Sequence, residues 1–274
     1  MFEHLLLLKM TRELRPDGRE RLEHREPTVL FNCISTSTGS VRFRLGGTDL
    51  IASVYLDTPQ NAPFRLIVEA LPTVSDAYRL TSSINVLVGS VLSSIVLSEQ
   101  KTCSLCTSGR SLLVLSLLII SDDGSVVASA CNAALLTLMA IGVTLPYAPC
   151  AVSIGFTRTA DSRTMLVDPS KMEEKALSGA LTVALDVITG DVLACVYSTA
   201  IHSTELRDIL LLASSCSDVL SKSIFNCLSP SRTASCEVPS TDIEGKTEPL
   251  PKRQTDAVMT GRYLKIPDIP KDIQ

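Results

Sequence analysis

A short acidic turn is the part of this sequence whose residue types and spacing best suit chemistry. Asp122, Asp123, Gly124 and Ser125 stand between a run of apolar residues and a run of small ones. A glycine-containing turn that leads into a helix can hold a phosphate group on its backbone N–H groups. The two aspartates also allow a Mg²⁺ pair, or they can be solvated turn residues. The residues alone leave these interpretations open.

The segments on either side of this turn must position it. The run Leu112–Ile120 is apolar except for Ser116, which is typical of a strand covered on both faces. Gly124 is expected to adopt a positive φ where the chain reverses. The small side chains of residues 128–134 predict a helix that lies close against a sheet. The sequence therefore predicts a buried strand, a tight turn and a closely packed helix.

The rest of the chain shows the same mixture of strands and helices. Arg42 and Arg44 alternate with apolar residues, so both are expected on one face of a strand, where they either contact a partner or are solvated. A buried helix is predicted for Leu80–Ser98, a loop for Glu99–Arg110, and an amphipathic helix from Ser203 to about Leu228. Strands are predicted at residues 29–31, 41–45, 49–55, 64–71, 150–156, 165–169, 181–185 and 192–197.

Charge and composition limit the possible functions. The chain has 274 residues, 45% of them hydrophobic and 20% charged, with a net charge of −4. This balance argues against a strongly basic nucleic-acid binder, although it allows one small patch on a shared RNA path. A surface so poor in charge is expected to be partly covered by other subunits. The composition thus favours an assembled protein.

Cysteine usage indicates the redox compartment, and hydropathy indicates whether a segment could span a membrane. Nine cysteines, an odd number, are scattered through apolar segments, which favours free thiols in a reducing compartment. Cys103 and Cys106 form a single CxxC pair, which is either a zinc or redox site or a loop with two free thiols. Two long uncharged runs contain Ser, Asn, Gly or Pro, so no membrane span is expected.

Several motifs, in their order and spacing, resemble the ribonuclease PH family. They are Arg15-Pro-Asp-Gly-Arg19, Thr38-Gly-Ser40, Leu45-Gly-Gly-Thr48, Ser121-Asp-Asp-Gly124, Asn132-Ala133, Leu166-Val-Asp-Pro169, Glu173-Glu174 and Ser203-Thr-Glu-Leu206. The resemblance covers roughly Arg15 to Leu228. It implies an α+β fold, with mixed β-sheets and packed helices of the ribosomal protein S5 domain 2-like type. We expect a charged N-terminal arm at 1–26, the domain at 27–228, with halves of about 27–147 and 148–228, and a disordered tail at 229–274.

Active members of that family cleave RNA from its 3′ end with inorganic phosphate, which requires cations, N–H donors and carboxylates around the reacting phosphate. The resemblance places Ser125 and Val126 at the phosphate-binding positions, so Val126 replaces a cation. It also implies two catalytic aspartates, six residues apart, which fall here on Lys175 and Leu181. Every charged group of the site is therefore expected to be missing, and Glu173-Glu174-Lys175 is interpreted as an exposed helix start or loop. No metal or cofactor is expected.

The resemblance then implies a non-catalytic subunit of the six-membered RNA exosome ring, which takes part in the processing of ribosomal and other RNA. Its expected partners are five other ribonuclease-PH-like subunits, cap subunits with RNA-binding domains, an associated catalytic ribonuclease, and RNA in the central channel. Arg42, Arg44 and Arg65 are the candidate RNA contacts. The expected location is the nucleus, including the nucleolus, and the cytoplasm. The alternatives are an active phosphate-dependent 3′–5′ exoribonuclease and a free-standing homodimer that binds nucleic acid.

Overall fold

Five strands from the first half of the chain form the larger of two sheets. The computed structural model describes residues 15–57, 64–99, 112–143, 145–158 and 163–228. The strand order in this sheet is β1-β2-β3-β5-β4, and all neighbours are antiparallel except β4 and β5. The strands are β1 (Pro27–Phe31), β2 (Gly39–Leu45), β3 (Thr48–Asp57), β4 (Phe64–Ala70) and β5 (Leu112–Ser121).

A long helix lies between the two parallel strands in the chain. Helix α1 (Ala77–Glu99) begins three residues before the predicted start at Leu80. Residues such as Ile84 and Leu87 are fully buried, whereas Tyr78 is 89% exposed and Val86 is 56% exposed. The prediction of a helix is confirmed, but only one of its faces is buried. The absence of charge between Leu80 and Ser98 therefore does not reflect complete burial of this segment within the chain.

The second half of the chain forms a smaller antiparallel sheet with the strand order β7-β6-β8-β9. Its strands are β6 (Pro149–Arg158), β7 (Arg163–Val167), β8 (Gly179–Asp186) and β9 (Val192–Tyr197). A one-turn helix, α3 (Lys171–Ala176), connects β7 to β8, and the helix α4 (Ser203–Leu228) follows β9. The strands predicted at 181–185 and 192–197 and the predicted last helix are confirmed.

Helix α2 (Val126–Ala140) packs against strands of both sheets. Its small residues Cys131, Ala133 and Ala134 are completely buried, as the sequence predicts. The side chain of Asn132 donates to the Ala151 carbonyl at 2.9 Å and accepts from the Ala151 N–H at 2.8 Å. These two bonds fix the middle of α2 to β6, a strand from the second half of the chain.

Some of the predictions fall on residues outside the described ranges. These are the loop between Pro59 and Pro63, the loop predicted at Glu99–Arg110 apart from Glu99, which ends α1, the Cys103–Cys106 pair and the tail after Ser229. Within the described ranges Cys33, Cys131, Cys150, Cys195 and Cys216 are free thiols, and no three side chains of His, Cys, Asp or Glu cluster as metal ligands. None of the described helices has the length and apolar character needed to span a membrane.

Candidate active-site cleft

A cleft of about 490 Å³ opens beside the first turn of α2. The beginning of α2 contributes Ser125, Val126 and Val127 to its wall, and the residues around the start of α1 contribute Asp76 and Arg79. The remaining wall comes from α3 and from strands β6, β8 and β9 of the smaller sheet, including Lys171, Glu174, Ser153, Thr182 and Tyr197. The predicted strand–turn–helix thus supplies one side of this cleft.

The turn before α2 depends on two residues with left-handed backbone conformations. Gly124 has φ +90°, which a residue with a side chain rarely adopts, and Ser125 has φ +54°. A Cβ at Gly124 would also collide with the carbonyl oxygen of Pro169 and with the backbone of Ser170. The turn therefore needs glycine both for its conformation and for its close contact with the segment before α3.

Arg25 connects this turn to Asp168, in the segment before α3. Arg25 donates to both carboxylate oxygens of Asp168, at 2.9 and 2.7 Å, and to the carbonyls of Asp123 and Gly124, at 2.7 and 3.1 Å. Asp168 is 1% exposed. Burial by itself would raise the pKa of Asp168, but the hydrogen bonds and charge of Arg25, with those of Arg19, hold that pKa below its ordinary value. Asp168 is thus a buried anion in the folded protein.

A second buried ion pair lies beside the first. The guanidinium of Arg15 binds the carboxylate of Glu173, and the side chains of both residues are 1% exposed. Glu173 also closes a capping box with Ser170 at the start of α3. The interpretation of Glu173 as part of an exposed helix start was wrong. Arg15, which the sequence places in a charged N-terminal arm, is buried, because it satisfies this carboxylate and the Val167 and Asp168 carbonyls.

The two aspartates of the turn are held by different cations. Asp122, whose side chain is 4% exposed, binds Lys171 at 2.5 Å and accepts the Gly124 N–H at 3.0 Å. Asp123, whose side chain is 43% exposed, lies 3.2 Å from Arg25. Asp122 is therefore not a solvated turn residue. The carboxylates of Asp122 and Asp123 are each bound by a basic side chain.

Of the four positions that were expected to replace the catalytic groups, two lie in the cleft and two do not. Ser125 and Val126 line the cleft. Lys175 is exposed outside the cleft, and Leu181 is fully buried in the core. Glu174 and Ala180, one position earlier and with the same spacing of six residues, do line the cleft. One carboxyl group is therefore present where the sequence analysis expected none, while the second position is an alanine.

The cleft is also not free of positive charge, in contrast to the expectation. Lys171 lines it, but its ammonium group is bound to Asp122. Arg79 lines it as well, is exposed, and forms no ion pair with any described residue. The pKa of Glu174 is raised above its ordinary value because the carboxyl group is partly buried. Arg79 and Glu174 are functional candidates that the sequence analysis did not single out.

The three candidate RNA-binding arginines lie away from the cleft wall. Arg42 and Arg44 share the outward face of β2, as predicted, and both bind Asp49, at 2.6 and 3.0 Å. Their side chains are 34% and 51% exposed, so part of each guanidinium is accessible. Arg65 is exposed on β4, which is the edge strand at the other end of the sheet from β1 and β2. Contact of these residues with RNA stays a prediction.

Comparisons with known proteins agree with this architecture. Residues 23–144 match the model of the 3′ exoribonuclease family, domain 1, also called RNase PH. The exosome complex component Rrp42 of Methanosarcina mazei is 24% identical over 200 residues, which cover 64% of this chain and 74% of the relative.

Solved structures give the same result at the level of the fold. Rice (Oryza sativa) Rrp46 superposes with a TM-score of 0.64 at 18% identity, covering 78% of this chain and 100% of that one. A chain of the Archaeoglobus fulgidus exosome with RNA bound to the active site gives a TM-score of 0.60 at 20% identity, covering 81% and 97%. The fold expected from the resemblance is thus confirmed: residues 23–144 match the first domain of the ribonuclease PH family, and the described part of this chain has the fold of these solved structures.

Proposed function

We propose that this chain is a non-catalytic subunit of an RNA exosome core ring, where it supports 3′-to-5′ RNA processing and degradation as a scaffold with weak contacts to RNA. The similarity to the Rrp42 exosome component and to chains of archaeal exosome cores supports the assembly. Five further ribonuclease-PH-like subunits, cap subunits, a recruited ribonuclease and RNA are its proposed partners. We propose the nucleus, with the nucleolus, and the cytoplasm as its location.

The observation that carries the absence of catalysis is the presence of two apolar side chains at the places where charge is needed. Val126 begins α2 at the cleft, and Ala180 lines the opposite wall six residues after Glu174. Cleavage by phosphate needs positive groups to bind the attacking anion and carboxylates to handle a proton or hold a metal. Because losing one stabilising donor costs roughly 10²–10³ in kcat in well-studied enzymes, the loss of two charged groups supports an inert site.

Exposed apolar side chains support the scaffold role. Tyr78, Ile188, Leu211 and Phe225 are 89%, 71%, 62% and 60% exposed, respectively. Large apolar side chains in such number on a surface with few charges suit burial against neighbouring subunits. Arg42, Arg44 and Arg65 would add contacts to RNA phosphates, although Asp49 offsets part of the charge of the first two. These contacts are expected to be weak.

A phosphorolysis assay tests the proposed absence of activity. The purified full chain is incubated with a 5′-labelled single-stranded RNA, with and without inorganic phosphate. We expect no phosphate-dependent shortening. Phosphate-dependent loss of 3′ nucleotides would contradict the proposal, provided that it disappears in the Glu174→Ala variant, because a contaminating nuclease would remain active in that preparation.

A further inference from the structure

We propose that the carboxylate of Glu174 is a built-in anion, which occupies the N-terminal end of α2 and keeps small anions such as inorganic phosphate out of the cleft. Oε1 of Glu174 accepts the backbone N–H of Ser125 at 2.9 Å. The N-terminal end of a helix carries a partial positive charge that favours an anion. A side chain of this protein already supplies that negative charge. The inference rests on the proposed function, since it gives the cleft a structural reason to be inert.

The donors of the turn are already used within the chain. The N–H of Gly124 is bound by the Asp122 carboxylate, and the Ser125 hydroxyl donates to the Pro169 carbonyl at 3.1 Å. The Ser125 side chain makes no capping hydrogen bond to α2. An incoming phosphate would therefore have to displace Glu174 or Asp122 to reach the N–H groups of Gly124 and Ser125. Each displacement would leave a carboxylate without its hydrogen bond.

The position of Glu174 is imposed by the segment that carries it. The capping box of Ser170 and Glu173 fixes the first turn of α3, and the buried Arg15 holds Glu173. In addition, the N–H of Lys171 donates to the Asp123 carbonyl at 3.0 Å, so α3 is joined directly to the turn before α2. Glu174 consequently cannot leave the end of α2 by a movement of α3 without breaking these bonds.

The charges around Glu174 add to the exclusion of anions. Asp76 also lines the cleft, and Asp122 lies close enough to Glu174 to act on its titration. Lys171 is nearer to Asp122, at 2.5 Å, than to Glu174, at 3.9 Å, and Arg25 is bound to Asp168. Arg79 is thus the cation on the cleft wall that, among the described residues, no carboxylate neutralises. Glu174 decides whether this cation can attract a small anion to the end of α2.

Calorimetric titration of inorganic phosphate into the full chain tests the proposal. We expect no measurable binding by the unaltered protein and at least about tenfold tighter binding by Glu174→Ala, because the variant frees the Ser125 N–H and removes a repelling charge. Glu174→Gln removes the charge but keeps an acceptor oxygen, so it is expected to bind phosphate to an intermediate degree. Glu69→Gln, which removes a charge from the exposed surface of β4, is the matched control and should not bind.

The combined variant Glu174→Ala with Arg79→Ala should lose the acquired binding. Two results would overturn the inference. One is phosphate binding by the unaltered chain, and the other is equally weak phosphate binding by all variants that circular dichroism shows to be folded. If Glu174→Ala does not fold, Glu174→Gln decides the question, since it keeps the shape of the side chain. These results are separate from those for the proposed function, which fails only if the unaltered chain degrades RNA with phosphate or does not join a ring.

Discussion

Arg25 joins three separate segments through one guanidinium group, and its removal should be costly. In Arg25→Met the apolar part of the side chain stays, but Asp168 loses its close ion pair. It keeps the backbone N–H of residue 25, at 2.9 Å, and the longer contact with Arg19, at 3.3 Å. Removing one partner of a buried ion pair leaves an uncompensated charge, so we expect a loss of about 3 to 5 kcal/mol in the free energy of unfolding. Urea denaturation of the variant measures this loss.

Arg44→Met is the matched control for this change. Its partner Asp49 retains Arg42, and the Arg44 side chain is 51% exposed, so the expected loss is less than about 1 kcal/mol. Equal losses for the two variants would contradict the view that burial makes the Arg25–Asp168 pair important.

His24 should make stability depend on pH near neutrality. Its Nε2 lies 3.2 Å from the Cys216 carbonyl on α4, and its Nδ1 is buried without a hydrogen-bond partner among the described residues. Burial lowers the pKa of His24 from 6.5, with Arg19 and Arg15 adding to the lowering and Asp168 and the Cys216 carbonyl opposing it. Below pH 6.5 the unfolded chain therefore binds a proton that the folded chain does not, and stability falls as the pH falls.

The expected slope is at most about 1.4 kcal/mol per pH unit, and His24→Gln should remove it. Asp168 and Glu173, whose pKa values are lowered by their arginine partners, act at lower pH. Their contribution to stability is present above the ordinary pKa of a carboxyl group and is lost as the pH falls from there through their lowered pKa values. Unfolding free energies between pH 7 and pH 5 measure the effect, with His202→Gln, an exposed histidine, as the control. The same slope in all three proteins would show that His24 is not its source.

Residue types and local spacing predicted the turn at Gly124 but not the partners of its side chains. Arg15 and Glu173 are 158 positions apart, and no local pattern connects residues at that distance. One local signal was present: Ser170 followed three residues later by Glu173 is a capping-box pattern, which indicates a helix start with an engaged glutamate. The burial of that glutamate depends on Arg15, so only the folded chain could reveal it.

At the scale of elements, the junction between the α2 turn and the start of α3 should be sensitive to a single methyl group. Gly124→Ala combines a positive φ of +90° with a collision against the backbone of Pro169 and Ser170. Gly142→Ala is the matched control, since φ is +78° there and a Cβ would meet nothing within 4 Å. We expect about 1 kcal/mol of destabilisation for the control and at least about twice that for Gly124→Ala.

Thermal or urea unfolding of the two variants measures the difference. Because both carry the penalty for positive φ, the difference isolates the close contact between the two segments. A difference near zero would mean that Pro169 and Ser170 can move away at little cost, and that the turn is not fixed by this contact.

Most elements were predictable because their patterns are local. The alternation in β2, the apolar run of β5 and the small residues of α2 each determine an element within a few residues. The pairing of β4 was not predictable in this way. It lies parallel to β5 because α1 carries the chain across the sheet between them, and such a pairing depends on tertiary packing rather than on periodicity. The partial exposure of α1 likewise depends on what covers its outward face.

At the scale of the whole molecule, the exposed apolar side chains are the feature that packing within one chain does not explain. Tyr78 and Val86 on α1 and Leu211, Val219 and Phe225 on α4 are each more than half exposed. Composition predicted a covered surface, because only 20% of the residues are charged, but it could not identify the covered regions or their partners. Two neighbours in a ring would account for apolar surface on more than one helix.

Affinity purification of the tagged full chain under gentle conditions, with quantitative mass spectrometry of the proteins recovered, tests the proposed ring most directly. We predict recovery of five other ribonuclease-PH-like chains in amounts equal to this one. Recovery of the protein alone, or only with further copies of itself, would contradict the account.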